Sequence, residues 1–312
     1  MLPDRISGGP GSHVESGLVD GGGAGLLHRI HEPDGRVEGR YGFHRRDCAT
    51  LSAMTFGRAL VGALLLTVAG CAAASPVPAQ APGTPELRTE VLAELPHDPA
   101  AFTQGLELAG GSLYEGTGLA GQSQLRELDP VTGAVRRSVP LPRQLFGEGI
   151  TVVGDRIWQL TWRDHVVLEW DRNTFTLLRE VPLTGEGWGL CHDGGRLVRS
   201  DGTNRLHFQD PTTFAETGSV AVTLDGQPVT QLNELECVDG QVYANVWQTD
   251  RIVRIDPGTG NVTAVIDASG LLTPEQRSHT DVLNGIASLG NGEFLITGKL
   301  WPTTFRVRFV PR

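Results

Sequence analysis

From about residue 87 onward, apolar and polar positions alternate in short runs. SLYEGTG, RIWQLTW, RLVRSDG, QVYANVW and EFLITGK each place every second side chain on one face, the period of a half-buried β-strand. A Gly-containing turn precedes each run: Gly110-Gly111, Gly154-Asp155, Asp193-Gly194, Asp239-Gly240 and Asn291-Gly292. Ahead of each turn stands a leading segment, and the five align: Phe102-Thr-Gln-Gly-Leu-Glu-Leu, Phe146-Gly-Glu-Gly-Ile-Thr-Val, Gly187-Trp-Gly-Leu-Cys-His, Leu232-Asn-Glu-Leu-Glu-Cys-Val and Leu283-Asn-Gly-Ile-Ala-Ser. A third piece recurs as LRELDPVTG, VLEWDRNTF, LHFQDPTTF and IVRIDPGTG, and a closing strand as VRRSVPL, LLREVPL, TGSVAV and VTAVID. Asp129, Asp171, Asp210 and Asp256 share one repeat position in the third piece, which predicts a turn role for all four.

The unit is therefore four short strands in about 45 residues, and five units use up the 226 residues of 87–312. This predicts an all-β fold, a five-bladed β-propeller. The fifth unit ends one strand short, after TTFRVRFV. The unpaired strand Leu87–Leu95 is expected to complete it, closing the ring and removing open sheet edges. Residues Leu271–His279 interrupt the pattern, and Pro274 marks a short helical insertion there.

Residues 1–86 look different. Residues 1–53 show no sustained period and are expected to be a non-native or disordered extension, with Met54 as the effective start. Residues 54–70 combine a short basic segment, the apolar run Ala59–Ala69 and a small-residue end, the plan of a signal peptide. Val68-Ala69-Gly70-Cys71 resembles a bacterial lipobox, which makes Cys71 the expected lipidation site. Residues 71–86 are rich in Ala and Pro and read as a tether, leaving 87–312 as the propeller. The protein is accordingly expected to be exported and membrane-anchored through lipid, facing the periplasm or cell exterior, and monomeric.

Composition narrows the chemistry. A net charge of −10 without a Lys/Arg run is unsuited to nucleic acid. The nine His show no metal-binding spacing, so neither metal nor other cofactor is expected. Of 26 cations only Lys299 is a lysine, and the repeat puts it at the end of a second strand. On one mouth of the propeller the repeat collects Gln104, Glu148, Glu186, Trp188, Asn233, Glu234 and Asn284 from the leading segments, and Glu115, Trp162, Asp201, Trp247, Lys299 and Trp301 from the second strands. Aromatic walls with a few polar groups are the makeup of a small-ligand site. Glu148, flanked by Gly147 and Gly149 behind Phe146, is the first candidate for acid–base work, with Glu115 its competitor. Trp158 and Trp170 lie on apolar faces and are expected in the core. Cys191 and Cys237 occupy nearly the same repeat position on adjacent inner strands. They are either bridged or two buried thiols, and the bridge is the expected state.

The segments FTQGL, LYEGTGLAGQSQLRELDPVTG, LFGEGIT, QLTW, GEGWGL, PVTQLNELE, YANVWQTDRIVRIDP, VLNGIA and TGKLWP resemble the plant- and bacterial-type glutaminyl-peptide cyclotransferases, or glutamine cyclotransferases. The resemblance runs from Phe102 to Trp301. It implies an acyltransferase that converts N-terminal Gln of peptides and proteins to pyroglutamate with release of ammonia, without a metal. It implies that Glu148 is the general acid/base, with Lys299 and Asn233 as further catalytic groups. Phe102, Gln104, Phe146, Trp162, Trp188 and Trp247 fall on substrate-pocket positions. Ala120 departs from the family pattern, where an aromatic is expected. The alternatives are a lipid-anchored propeller hydrolase or lactonase, holding a divalent cation at Glu148, Asn233 and Asn284, and a non-enzymatic peptide-binding propeller.

Overall fold

Tight turns organise the part of the chain that this computed structural model describes, residues 83–312. The expectations for residues 1–53, the segment 54–70, Cys71 and nearly all of the 71–86 tether lie outside the described residues. Strand β1 (Glu86–Pro96) is followed by three four-stranded antiparallel sheets in chain order. They are β2 (Thr103–Ala109), β3 (Ser112–Thr117), β4 (Gln124–Leu128) and β5 (Val135–Pro140); then β6 (Gly147–Val153), β7 (Arg156–Thr161), β8 (Val166–Asp171) and β9 (Leu177–Pro182); then β10 (Leu190–His192), β11 (Leu197–Arg199), β12 (Arg205–Gln209) and β13 (Glu216–Ala221). A small hairpin, β14 (Thr223–Leu224) and β15 (Gln227–Pro228), precedes β16 (Leu232–Val238), β17 (Gln241–Val246), β18 (Arg251–Ile255) and β19 (Val262–Asp267). After helix α1 (Pro274–Arg277) come β20 (Leu283–Gly290), β21 (Glu293–Gly298) and β22 (Thr303–Pro311).

Strand β1 pairs antiparallel with β22 from Leu87↔Pro311 to Pro96↔Thr303, supplying the fourth strand of the last sheet. It also pairs parallel with β19 at Glu86↔Val265 to Arg88↔Asp267. That second pairing, which the repeat does not announce, fuses the last two sheets into one of eight strands.

In each of the first three sheets the outermost strand has no fully buried position, whereas the strands inside it are mostly buried. β6 is buried at six of its seven positions, whereas β9 has none fully buried. A strand covered on both faces by neighbouring sheets must be apolar or small throughout, and an outer strand alternates. Apolar clusters fill the spaces between successive sheets. Leu125 packs with Ile157 and Trp170, Trp158 with Leu190 and Leu197, Val198 with Leu235 and Val253, and Ile252 with Ile286 and Phe294. The last cluster joins Leu106 and Leu128 to Ala287 and Leu295, and so returns to the first sheet. The result is a mostly β architecture of the propeller type.

The turns follow their chemistry. Asp239-Gly240 and Asn291-Gly292 have positive φ at both positions (52° and 73°; 53° and 73°), as the hairpin turns favoured by strand twist require. The repeated aspartates cap turns. Oδ1 of Asp129, Asp171 and Asp210 each accepts two backbone N–H groups, and Oδ1 of Asp256 accepts that of Gly258. Helix α1 starts as Pro274 indicates, with Thr273 and Gln276 forming a reciprocal cap.

The centre is built on glycine. A Cβ on Gly149 would lie 2.7 Å from the Trp188 carbonyl oxygen, and one on Gly189 would lie 2.1 Å from that of Asn233. The innermost strands thus run backbone against backbone, and the residues just before these glycines converge. In the fourth unit Glu234 stands where the others have Gly105, Gly149, Gly189 and Gly285. Its carboxylate fills the central space and accepts N–H bonds from Leu106 (3.2 Å) and Ile286 (2.8 Å).

Candidate active site

At one mouth of this centre, buried polar groups lie beneath an aromatic wall. Glu148, at the start of β6, is 5% exposed, and its Oε1 accepts a 3.0 Å hydrogen bond from Gln104 Nε2 on β2. Gln104 Oε1 in turn accepts from Asn284 Nδ2 of β20 at 3.2 Å. Asn233, on β16, is 2% exposed, and its Oδ1 has no hydrogen-bond partner among the described residues. Lys299 follows β21 and is 5% exposed, with Nζ 4.9 Å from the centroid of the Phe102 ring.

Phe102, Phe146, Trp162, Trp188 and Trp247 are all half-buried. Phe102 meets Phe146 edge-on at 6.1 Å, Phe146 packs on Trp162 at 5.5 Å, and Trp188 meets Trp247 edge-on at 5.5 Å. Glycines make room for them. A Cβ on Gly118 would strike the Phe146 ring at 2.6 Å, and one on Gly202 the Trp188 indole at 2.7 Å.

The electrostatics follow from enclosure. Burial pushes the Glu148 carboxyl well above the ordinary carboxylate range. The Lys299 ammonium opposes this, and the negative charge of Glu186 adds to it. Burial pushes Lys299 below its ordinary value, against the attraction of Glu148 and Asp281. Both shifts favour the neutral form, so desolvation outweighs the attraction between the two groups. Burial favours the protonated carboxyl and the Lys299 charge the ionised one, an environment suited to a group that must both take up and return a proton.

The structure thus brings together Glu148, Gln104, Lys299 and the five aromatic residues, with Asn233 on the neighbouring inner strand. Two residues, Trp301 and Glu115, behave differently from their repeat position. Trp301 is not a wall residue. It is 1% exposed in the core against Phe305, its Nε1 donating to the Asp281 carbonyl, because Gly298 opens the space behind it. Trp158 and Trp170 lie in the core as expected, 0% and 2% exposed. Glu115 is fully buried but committed. It accepts from Thr103 Oγ1 at 2.8 Å, lies 3.0 Å from His97 Nε2 and faces Arg126. Burial acts to raise its pKa, but these partners outweigh it and hold Glu115 below the ordinary range.

Glu186 emerges as a support that its sequence position alone does not reveal. One oxygen accepts both the Trp162 and the Trp188 indole N–H, each at 2.9 Å, and the other accepts Arg163 Nε at 2.8 Å. Trp162 lies 24 residues upstream, so only the folded chain shows the pairing. Cys191 and Cys237 are joined in a disulfide with Cα atoms 5.4 Å apart. Among the described residues, no three His, Cys, Asp or Glu side chains gather into a metal-binding group.

A β-sheet scaffold with a buried carboxylate under an indole-rich wall defines a small-ligand site equipped for proton transfer. Residues 62–309 match the family model described as glutamine cyclotransferase. The chain is 42% identical over 226 residues to the glutaminyl-peptide cyclotransferase of Arabidopsis thaliana, covering 70% of each chain. The crystal structure of Myxococcus xanthus glutaminyl cyclase is similar at a TM-score of 0.67 and 40% identity, over 73% of this chain and 99% of that one. This chain belongs to the glutamine cyclotransferase family.

Proposed function

We propose that the chain is a glutaminyl-peptide cyclotransferase acting at the Glu148 mouth of a five-bladed propeller, with Glu148 as its general acid/base. The cyclic succession of four-stranded sheets, with β1 completing the last, supports the blade count. The observation that carries the mechanism is the enclosure of Glu148, hydrogen-bonded at Oε1 by Gln104 under the Phe–Trp wall.

The substrate's α-amine must attack its own γ-carbonyl. The indoles and Phe rings hold the N-terminal Gln in the folded shape that ring closure needs. The bond from the α-nitrogen to Cδ forms, and Glu148 takes a proton from that nitrogen. The carbonyl oxygen gains negative charge, which Lys299 stabilises. The unpartnered Asn233 Oδ1 accepts a substrate N–H. The C–N bond to the γ-nitrogen then breaks as Glu148 returns the proton, releasing ammonia and a pyroglutamyl peptide. Trp188 and Trp247 form one side of the pocket, and Phe102, Phe146 and Trp162 the other.

Ammonia release from a Gln-tripeptide, with and without EDTA, tests the assignment. Glu148→Gln keeps the Gln104 contact but cannot carry a proton, and is expected to lose at least about 10²-fold in kcat. A folded, fully active variant would remove Glu148 from this role. Dependence on the free metal ion would favour the hydrolase reading, and binding without ammonia the non-enzymatic one.

The sequence of residues 54–71 supports export and lipid attachment at Cys71, ahead of the Pro-rich tether. Lipoprotein maturation adds several acyl chains, enough for a stable anchor. Cys71→Ala should shift the protein from the membrane to the soluble fraction.

A further inference from the structure

A side-chain amide can turn over with almost no change of shape, exchanging donor for acceptor. Gln104 therefore needs something to decide which end faces Glu148. The deciding group is a backbone carbonyl. Asn284 lies 3.0 Å from the Thr103 carbonyl oxygen, which can only accept, so the Asn284 atom facing it is Nδ2. The same Nδ2 lies 3.2 Å from Gln104, whose facing atom is then its oxygen. Gln104 Nε2 is left to donate to Glu148 Oε1 at 3.0 Å. A turned Asn284 would set its oxygen against the Thr103 carbonyl oxygen whichever way Gln104 faces.

Gln104, Glu148 and Asn284 are 2%, 5% and 0% exposed, so water does not compete for these contacts. They also stand at one repeat position, just before Gly105, Gly149 and Gly285. That shared position is the sequence signal for Asn284.

We infer that Asn284 is a positioning residue that fixes the donor–acceptor polarity of the active site. Thr103 orients Asn284, Asn284 orients Gln104, and Gln104 keeps a donor on Glu148 Oε1. Because Oε1 always faces an N–H, the shuttled proton travels on Oε2 alone. The inference rests on the general acid/base role of Glu148. The charged groups acting on Glu148 are Lys299 and Glu186, and Asn284 adds no charge to them.

A double-mutant cycle tests it, reading kcat on a Gln-tripeptide and the thermal midpoint. Asn284→Ala is expected to lower kcat by roughly 10- to 100-fold, as a loosened catalytic group does. In a Gln104→Ala background the same change should cost nothing further, because Asn284 acts only through Gln104. Multiplicative losses, or full activity in Asn284→Ala, would overturn the inference. Asn284→Asp, the same size, guards against misfolding. Once ionised it cannot donate to Thr103, so Gln104 turns its NH2 to the new carboxylate and its oxygen to Glu148. Glu148 must then be protonated, and the acid limb of the kcat/KM profile moves to higher pH. A limb that stays in place, with only the melting point lowered, would mean a structural role alone. If Glu148→Gln is inactive and the cycle multiplicative, this inference fails while the Glu148 assignment stands.

Discussion

Lys299 poses the sharpest question at the scale of single residues, because the chain otherwise writes its cations as Arg. Its ammonium is buried over Phe102, and burial pushes its pKa down. A guanidinium is broader, keeps its charge under any burial and demands a fork of partners. Lys299→Arg is therefore expected to lower kcat at least about tenfold with little change in melting temperature; unchanged kinetics would reduce the lysine to codon usage. Glu186 is the complementary case. It anchors two indoles and one guanidinium, and these donors hold its carboxyl ionised against burial. Glu186→Gln turns one acceptor end into a donor, so either the two indoles that share one oxygen or the Arg163 guanidinium on the other loses its partner, and the wall loosens. The expected result is a rise in KM for Gln-peptides larger than the fall in kcat. The placement of Glu148 at the mouth was legible in the sequence because two glycines isolate it at a repeat position behind Phe146. The role of Glu186 was not, since a hydrogen bond across 24 residues leaves no local pattern.

At the scale of elements, the repeat made strands and turns readable and hid the exceptions. The hairpin glycines and the turn aspartates follow local backbone chemistry, which short sequence encodes directly. The β14–β15 hairpin turns locally on Asp225-Gly226 outside the repeating unit, and the parallel pairing of β1 with β19 arises from contact between units, so the unit pattern is silent on both. Trp301 shows the same limit. Its register matches a wall residue, but the space opened by Gly298 draws it into the core. The glycines of the inner strands carry the strongest element-level prediction. A Cβ on Gly149 would lie within 2.8 Å of three backbone atoms, the Trp188 oxygen, the Gly189 Cα and the Leu190 nitrogen. Backbone cannot swing aside as a side chain can, so Gly149→Ala must push β6 away from β10. A loss of about 1–3 kcal/mol is expected in urea unfolding, together with lost activity because Glu148 moves with the strand. The disulfide ties the next pair of inner strands, β10 and β16. Cys191 and Cys237 are 46 residues apart, and closing a loop of that length contributes up to about 4 kcal/mol through the unfolded chain. The Cys191→Ser/Cys237→Ser pair should show a loss of that order or smaller, with the reaction itself retained.

Among the described residues the last sheet packs back on the first, and the centre has an acid problem that this packing creates. Inner strands brought backbone to backbone leave N–H groups facing the axis, and carboxylates take them up. Glu107 accepts from Val152 at 2.9 Å, Glu236 from Ser288 at 3.1 Å, and Glu234 from Leu106 and Ile286. Glu234 and Glu236 are buried and Glu107 is half-buried, close enough for their charges to repel. Burial first, then that repulsion, pushes Glu234 and Glu236 well above the ordinary range. Burial alone pushes Glu107 up to about 7, with Thr151, Val152 and Arg172 pulling the other way. In the unfolded chain the same side chain ionises near its ordinary value of 4.5. Folding thus takes up protons at the centre. Below pH 4.5 both states are protonated and Glu107 contributes no pH-dependent term. Between 4.5 and about 7 the unfolded state binds fewer protons than the folded one, so stability falls as pH rises. Above 7 the penalty is complete, about 3 kcal/mol at most for this one residue. Surface carboxylates such as Asp129 and Asp171 are shifted the opposite way by their turn hydrogen bonds. Their stabilisation is present above the ordinary carboxylate value and is lost as pH falls below it through their lowered folded values. The two trends together place the maximum of stability on the acid side of neutral. Glu107→Gln isolates the central term, because a glutamine oxygen still accepts from Val152 and carries no charge. Thermal melts of the variant should match wild type at pH 4 and exceed it at pH 8. Equal melting points at both pH values would show that Glu107 stays ionised in the fold and that Arg172 neutralises it.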